Sequence, residues 1–303
     1  MGTLLVCLLI AGAPDDEPVR KPDASWSEIF GGPFRTSRVF SMPTAEVVGP
    51  YQLSLSGEGS LLSETGAFSF NGVAAIGFGD LAQLEYRASA AVSTLQKDPV
   101  ILPTLGVQFK VPLPKRYWLP TFGLALRIGL PRDEHDPATN VDFEERASDL
   151  YFVTSLQLWG WLKPVTLHAG VRFAAASIVA KDNPMLNLDD TLYLPAGAWE
   201  WQLAEKARLA GEIALVPVLE PGMPGGLASK MSYRPFGRLG VRWQIFSPFI
   251  FDASMGYRIE VARISSGTAG GLTEFVNWDI RLGGELFVPW GALFCRGVRL
   301  FCQ

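Results

Sequence analysis

Charged side chains in this sequence repeatedly occupy every second position, with apolar side chains between them. In residues 77–92, GFGDLAQLEYRASAAV, Glu85 and Arg87 alternate with Leu84 and Tyr86. A two-residue period places successive side chains on opposite faces of a β-strand. One face of this strand is therefore apolar, and the other carries groups that can bind ions or polar solutes.

In other segments of the chain, charged side chains such as Glu58 and Glu200 also alternate with apolar ones and fall on the polar face of a predicted strand. Such a set has two interpretations: it lines a water-filled path for small solutes, or it pairs across strands and fills an interior. Positive and negative groups are balanced, which predicts little ion preference, although Arg238, Arg242 and Arg258 could form a local anion site. In a filled interior the same arginines would instead pair with Asp252, Glu260 or Asp279. The candidate lining residues are Glu85, Arg87, Lys110, Arg127, His168, Arg172, Glu212, Arg238, Arg242, Asp252, Arg258, Glu260, Asp279, Arg281 and Glu285.

The two histidines are the first candidates for catalysis. A catalytic site needs a nucleophile and a base within reach, or metal ligands at a workable spacing. His168 lies on the polar parity and is interpreted as a packed polar residue. His135 lies in the acidic segment PRDEHDPATNVDFEER, where Asp133 or Asp136 could orient it in a protease at a rim. Because charged loops are usually only solvated, we expect no enzyme activity, cofactor or metal.

Twelve segments alternate in this way. They are 50–62, the two strands of a hairpin around Gly79-Asp80, 100–113, 118–130, 148–160, 163–176, 191–204, 207–217, and three segments around 239–245, 249–260 and 276–286. Most run 11 to 15 residues. Strands of soluble proteins centre on about 5 to 6 residues, whereas a strand needs about 9 to 11 to cross a membrane. The lengths therefore favour membrane-spanning strands.

The connections between these segments alternate between short and long. Tight connections are predicted at 79–80, 113–117, 161–163, 205–206 and 246–248, and longer ones at 94–99, 131–147, 178–190, 218–232 and 263–273. Short periplasmic turns and longer outer loops are typical of a transmembrane barrel. Tryptophan gives a second indication, because its rings gather at the boundary between lipid and water. Those near short-turn ends are Trp118, Trp159, Trp161, Trp201, Trp243 and Trp290.

The composition of the 303-residue chain agrees with strands in a membrane. Apolar residues make up 48% of the chain and the mean hydropathy is +0.19, yet no apolar run beyond the N-terminus approaches the length of a membrane helix. The net charge is −4, and the Lys and Arg residues are scattered rather than grouped in a stripe. We therefore expect no nucleic-acid partner.

The ends of the chain are predicted to lie outside the strand region. Residues 1–13, MGTLLVCLLIAGA, are typical of a secretory signal peptide, although no Lys or Arg precedes the apolar run. Residues 14–49 show no sustained period and predict a periplasmic segment that is either loose or a plug. Residues 289–303 form a C-terminal tail, in which Cys295 and Cys302 can pair only if the chain turns between them. An even strand count places both termini in the periplasm.

Residues 50–288 resemble bacterial outer-membrane β-barrel proteins, and GAFSFNGVAAIGFGDLAQLEYRASAAV is the most typical stretch. The resemblance is architectural and contains no fingerprint of one family. It departs from the common pattern at the C-terminus, because the last residues are Leu300-Phe301-Cys302-Gln303 rather than a strand that ends in an aromatic residue.

The resemblance implies an all-β fold: a single antiparallel transmembrane β-barrel of about twelve strands in the outer membrane of a Gram-negative bacterium. The implied partners are outer-membrane lipid, lipopolysaccharide and small solutes in the lumen. A narrow porin-like diffusion channel is the favoured function. The alternatives are a structural or anchoring barrel with a filled lumen and, third, an outer-membrane hydrolase.

Overall fold

The computed structural model describes residues 37–62, 68–92, 100–112, 119–136, 141–159, 164–181, 187–221, 228–246, 248–258 and 277–291. Nearly all of these residues lie in antiparallel strands. The strands are β1 (Leu53–Leu62), β2 (Phe68–Phe78), β3 (Ala82–Val92), β4 (Val100–Lys110), β5 (Thr121–Gly129), β6 (Arg132–Asp136), β7 (Val141–Trp159), β8 (Pro164–Ala180), β9 (Leu188–Ala204), β10 (Ala207–Pro221), β11 (Ala228–Phe246), β12 (Phe249–Arg258) and β13 (Asn277–Val288).

Twelve of these strands form a closed barrel. Each strand pairs with its neighbour in the sequence, the first strand β1 pairs with the last strand β13, and β5 pairs with β7. The short strand β6 pairs with the start of β7 and lies outside the closed ring. The fold class predicted from the sequence, a single antiparallel barrel of twelve strands, is confirmed.

The two faces of the barrel wall differ as the alternation requires. Leu84 and Tyr86 are each 46% exposed on the outer surface, whereas Glu85 between them is 3% exposed. The same contrast recurs around the ring, so large apolar side chains cover the outside and polar side chains point inward. An outer apolar belt around a polar interior is typical of a membrane-spanning barrel.

The hairpin between β2 and β3 turns where the sequence predicts it. Gly79 has a φ of +64°, which a residue without Cβ adopts without steric cost. The adjacent Gly77 faces inward, and a Cβ there would overlap the carbonyl oxygen of Gly49. Gly79 thus permits the tight turn, whereas Gly77 permits the close approach of the chain that precedes β1.

Several strands are longer than the sequence predicts. Much of 131–147, 178–190 and 218–232, which are predicted as loops, is strand in β6 to β11. In these extensions the polar residues Asp142, Glu144 and Arg146 are exposed. Strand ends that project beyond the apolar belt have no lipid-facing side, so the apolar alternation that marks a strand is lost there. No helix in the described ranges is long and apolar enough to cross a membrane.

The apolar belt makes a direct prediction for Leu282, which lies in the middle of β13 and is 54% exposed. Replacing it with Arg places a charge on the lipid face and should lower the free energy of unfolding by about 2 to 4 kcal/mol. Denaturant unfolding in lipid vesicles measures this, with Leu282→Met as the control that keeps the surface apolar. Equal stability of the Arg and Met variants would contradict the assignment of this face to lipid.

Candidate functional site in the barrel lumen

Residues 37–49, here called the plug, lie inside the barrel before the chain enters β1. The plug folds on itself: the Val39 amide donates to the Met42 carbonyl at 3.0 Å, and the Thr44 amide donates to the Ser37 carbonyl at 2.9 Å. Its side chains are largely buried, and Val39 is 0% exposed. It contacts opposite sides of the wall and therefore fills the lumen toward the short-turn end of the barrel.

Glu212 on β10 fixes one end of the plug. Its Oε2 accepts hydrogen bonds from the backbone amides of Phe40, Ser41 and Met42 at 3.2, 2.9 and 3.2 Å. Its Oε1 accepts the hydroxyl of Ser41. Bonds from neutral donors to a carboxylate are stronger than neutral pairs, and successive amides form a natural anion cradle. The plug therefore supplies the hydrogen bonds that this buried carboxylate needs.

Two glutamines fix the opposite side of the plug. Gln108 on β4 donates through Nε2 to the carbonyls of Thr44 and Glu46 at 2.8 and 2.7 Å. Gln83 on β3 accepts the amide of Val48 at 2.8 Å. Side-chain amides supply both a donor and an acceptor, which suits them to pairing with a segment of backbone outside the sheet.

Arg242 on β11 joins the plug to two carboxylates of the wall. It lies 2.7 Å from Asp252 and 3.1 Å from Glu200, and it donates to the carbonyls of Arg38 and Val39. This side chain is 2% exposed. A buried guanidinium needs such a complete set of acceptors, because an unpaired buried charge is strongly destabilising.

Apolar packing adds to these polar bonds. Gly123 on β5 has no side chain to obstruct the plug, and a Cβ there would lie 2.9 Å from the Cα of Ala45. A buried apolar cluster joins plug and wall. Its members are Val39, Phe40 and Met42 of the plug and Ala125, Tyr151, Val153, Ala198 and Ala210 of the strands.

Most other predicted lining residues form ion pairs across the wall. Arg87 and Arg127 both contact Glu85, at 3.1 and 2.6 Å, and Arg172 contacts Asp149 at 2.7 Å. These five residues lie on β3, β5, β7 and β8. The structure thus brings them together in one cluster, here called the arginine cluster.

The predicted residues on β13 and β4 are also paired. Arg281 contacts Glu58 at 2.8 Å, and Lys110 contacts Glu46 of the plug at 2.5 Å. Glu285 accepts the hydroxyl of Ser54 at 2.5 Å. These residues contact side chains of the wall or of the plug.

The sequence leaves two roles open for Arg238, Arg242 and Arg258, an anion site or pairs with carboxylates, and the described structure gives Arg238 and Arg242 carboxylate partners. Arg238 contacts Asp279 at 2.6 Å, and Arg242 is neutralised as described above. The backbone of Arg258 pairs with Asn277 at the end of β12, its side chain is outside the described part, and Glu260 lies outside the described residues. The carboxylates beside Arg238 and Arg242 remove the surplus charge that an anion would need at these two residues.

His168 on β8 lies in the lumen under the plug. Its Nδ1 is 2.7 Å from the hydroxyl of Ser155, and its Nε2 is 4.0 Å from Glu200. Serine, histidine and a carboxylate are thus adjacent, but 4.0 Å is too long for the hydrogen bond that would orient the ring. The Ser155 hydroxyl also accepts the amide of Ala45 at 3.0 Å. The side chain of His135 lies outside the described part of the chain.

The candidate lining residues include Glu212 and Arg242, which hold the plug, but not Gln83, Gln108 and Ser155, which also hold it. Gln83, Gln108 and Ser155 all have the inward parity, but only charged residues were selected from it. Tyr151 and Val153 are inward apolar residues and gave no polar signal. Inward apolar residues in a barrel with a polar interior indicate that something apolar lies inside.

Comparisons with known proteins support the fold. No family model and no curated protein sequence matches the chain. An outer membrane channel from Pseudomonas putida F1 has a TM-score of 0.52 at 11% identity, with 84% of this chain and 99% of that chain covered. The fold is that of an outer-membrane β-barrel. The barrel is also similar to the NanC porin and the KdgM porin, with TM-scores of 0.48 and 0.44 at 9% and 8% identity, covering 77% of this chain and 98% of each porin.

Arg242 provides a test of the closed lumen. Arg242→Glu would place three carboxylates together and remove the bonds to the plug carbonyls, so it should lower the free energy of unfolding by about 3 to 5 kcal/mol. Adding Asp252→Arg restores a charge pair and should recover part of this loss. Denaturant unfolding measures both variants, and an Arg242→Glu protein of normal stability would show that this side chain is solvated rather than buried.

Proposed function

We propose that this protein is an integral outer-membrane channel for small solutes, closed by its own plug in the state described here. The observation that carries the proposal is how the plug is held. Glu212, Gln83, Gln108 and Arg242 bind its backbone through side chains, while the hydrogen-bond ladder between the strands is complete without it. The plug can therefore leave the lumen without breaking the barrel.

The wall behind the plug is suited to water. Once the plug leaves, the groups that face the lumen at this level include a carboxylate, a guanidinium and two amides. Such groups are readily hydrated, so an emptied lumen would not be driven to collapse. A barrel of twelve strands lies between the filled barrels of about 8 strands and the wide porins of about 16 to 18, which favours a narrow path.

The second candidate function is a structural or anchoring barrel with a permanently filled lumen. The observation that favours it is the apolar cluster between the plug and Tyr151 and Val153. Exposing one buried apolar side chain costs about 1.5 to 3 kcal/mol, so the closed state dominates unless something else moves the plug. We propose no catalytic role, because the Ser155 hydroxyl is engaged by the plug.

Glu212 distinguishes the two candidates. Glu212→Gln removes the negative charge and one of the two acceptor oxygens that the plug uses, so it weakens the hold on the plug without changing the size of the side chain. We expect more frequent openings in planar bilayers. Glu85→Gln is the matched control, since it is the same change at another buried lumen carboxylate whose ion pairs are with Arg87 and Arg127 of the wall.

A disulfide provides the opposite test. Cysteines at positions 45 and 155, where the Ala45 amide and the Ser155 hydroxyl are 3.0 Å apart, should lock the plug in a chain that also carries Cys295→Ser and Cys302→Ser. Oxidised protein should be silent and reduced protein should conduct. Equal conductance in both forms would show that conduction does not require the plug to leave the lumen. Silence of a folded variant lacking residues 37–49 would favour the structural barrel.

We further propose that the short-turn end and both termini are periplasmic and that the β6–β7 hairpin projects outside the cell. The even number of barrel strands and the long β7, β8 and β11 support this orientation. A protease site inserted at Thr139 should be cut in intact cells, whereas one inserted at Lys206 in the β9–β10 turn should be protected. The reverse pattern would invert the barrel. In the proposed orientation the apolar belt contacts the lipid of the outer membrane, and lipopolysaccharide surrounds the end of the barrel that carries the β6–β7 hairpin.

A further inference from the structure

The arginine cluster carries a surplus positive charge. Arg87 and Arg127 share one carboxylate, Glu85, and Arg172 binds Asp149 through two hydrogen bonds of 2.7 and 2.8 Å. Three positive groups and two negative groups leave one positive charge in excess among the described residues. Burying such a charge is unfavourable unless an anion completes the cluster.

Arg127 has the hydrogen-bond donor that this anion would need. The side chain is 5% exposed, its Nε contacts Glu85 at 2.6 Å, and its Nη2 is buried with no hydrogen-bond partner in the described structure. A buried donor without an acceptor is rare in proteins and costs free energy. A guanidinium that has one engaged nitrogen and one free nitrogen can bind a carboxylate at the free side.

Tyr151 holds two of the guanidiniums in place. The Cζ atoms of Arg127 and Arg172 lie 5.0 and 5.5 Å from the centroid of its ring. The ring attracts both cations and limits their movement. Tyr151 also belongs to the apolar cluster that contains Val39, Phe40 and Met42, so the arginine cluster lies directly beside the plug.

An apolar surface adjoins the cluster on one side. Arg127, Asp149 and Ala174 are directly opposite one another on β5, β7 and β8, and Leu194 on β9 is opposite Arg172. Ala174 and Leu194 are buried and pack together with Ala176. Two strand spacings separate Arg127 from Ala174, which is about 10 Å.

We propose that the arginine cluster binds a small organic monocarboxylate, with its carboxylate on the Nη2 of Arg127 and its apolar body toward Ala174 and Leu194. One carboxylate neutralises the surplus charge, and a short hydrocarbon chain bridges the distance to the apolar surface. The inference rests on the proposed function, because it names the solute class that a channel with this lumen would select.

The other charged groups of the lumen lack this combination. Arg238 is matched by Asp279, and the two arginines of the Arg208 and Arg242 group are matched by Glu200 and Asp252. On the seam between β1 and β13, Arg38 and Arg281 contact Glu58, and Glu285 is opposite Ser56, whose hydroxyl accepts a hydrogen bond from Arg38. The seam group shares one feature with the arginine cluster, because Arg38 Nη1 is also buried without a hydrogen-bond partner in the described structure. It differs in charge, because Glu285 lies close enough to Arg38 to offset the second guanidinium. None of these groups therefore carries a surplus positive charge among the described residues.

Calorimetric titration of the detergent-purified chain with sodium butyrate tests the site without any need for conduction. Butyrate should bind saturably, acetate more weakly because it is too short to reach Ala174, and butylammonium not at all. Arg127→Gln removes both the free donor and the surplus charge and should weaken binding at least tenfold. Asp149→Asn raises the surplus to two charges and should tighten binding.

Arg238→Gln is the control, because it removes a lumen arginine from a neutral pair and should leave butyrate binding unchanged. If Arg127→Gln does not fold, the butyrate affinity of Asp149→Asn still tests the proposal, since a misfolded protein would not bind butyrate more tightly. Chloride that competes with butyrate at equal concentration would replace the proposal with a simple inorganic anion site. Binding that neither variant alters would overturn it. Butyrate binding by a protein that never conducts would refute the channel and retain the site.

Discussion

The pairing of every backbone N–H and C=O group is the constraint on which this structure depends. In lipid no water can satisfy an unpaired group, so a sheet in the membrane has no free edge. The pairs β1–β13 and β5–β7 remove the edges by closing the ring. Closure then dictates the rest: one face of every strand meets lipid, the other meets the lumen, and all polar chemistry is confined to the inside.

This constraint explains why the barrel could be predicted from the sequence. The two-residue period depends only on the strand's own residues and not on which strands pair with it. Leu84, Glu85 and Tyr86 can therefore be assigned to the outer or inner face from their residue types alone. The same reasoning fails where the constraint ends. Beyond the apolar belt, β7 continues as a strand with polar residues such as Asp142 on its exposed surface, and the sequence there looks like a loop.

The contents of the lumen could be predicted only in part. Parity identifies which side chains face inward. Which side chains then contact each other depends on the register between strands and on the plug, whose sequence shows no period. Arg242 illustrates this, because the sequence leaves open whether it belongs to an anion site or pairs with a carboxylate, while the structure gives it Asp252, Glu200 and two plug carbonyls. The plug forms no ladder with the wall, so no periodic pattern marks it.

The position of Glu58 has a consequence for the order of assembly. This carboxylate on β1 contacts Arg281 on β13, the first and last strands of the ring, and also Arg38 of the plug. The first strand can meet the last only when the whole barrel has been synthesised and arranged, which makes ring closure a late event. Residues 37–49 are synthesised before the strands of the ring, and Arg38 among them contacts Ser56 and Glu58 on the β1 side of the closing junction. The plug is thus available throughout assembly as an internal surface around which the ring closes, and the finished barrel encloses the segment that the ribosome made before it.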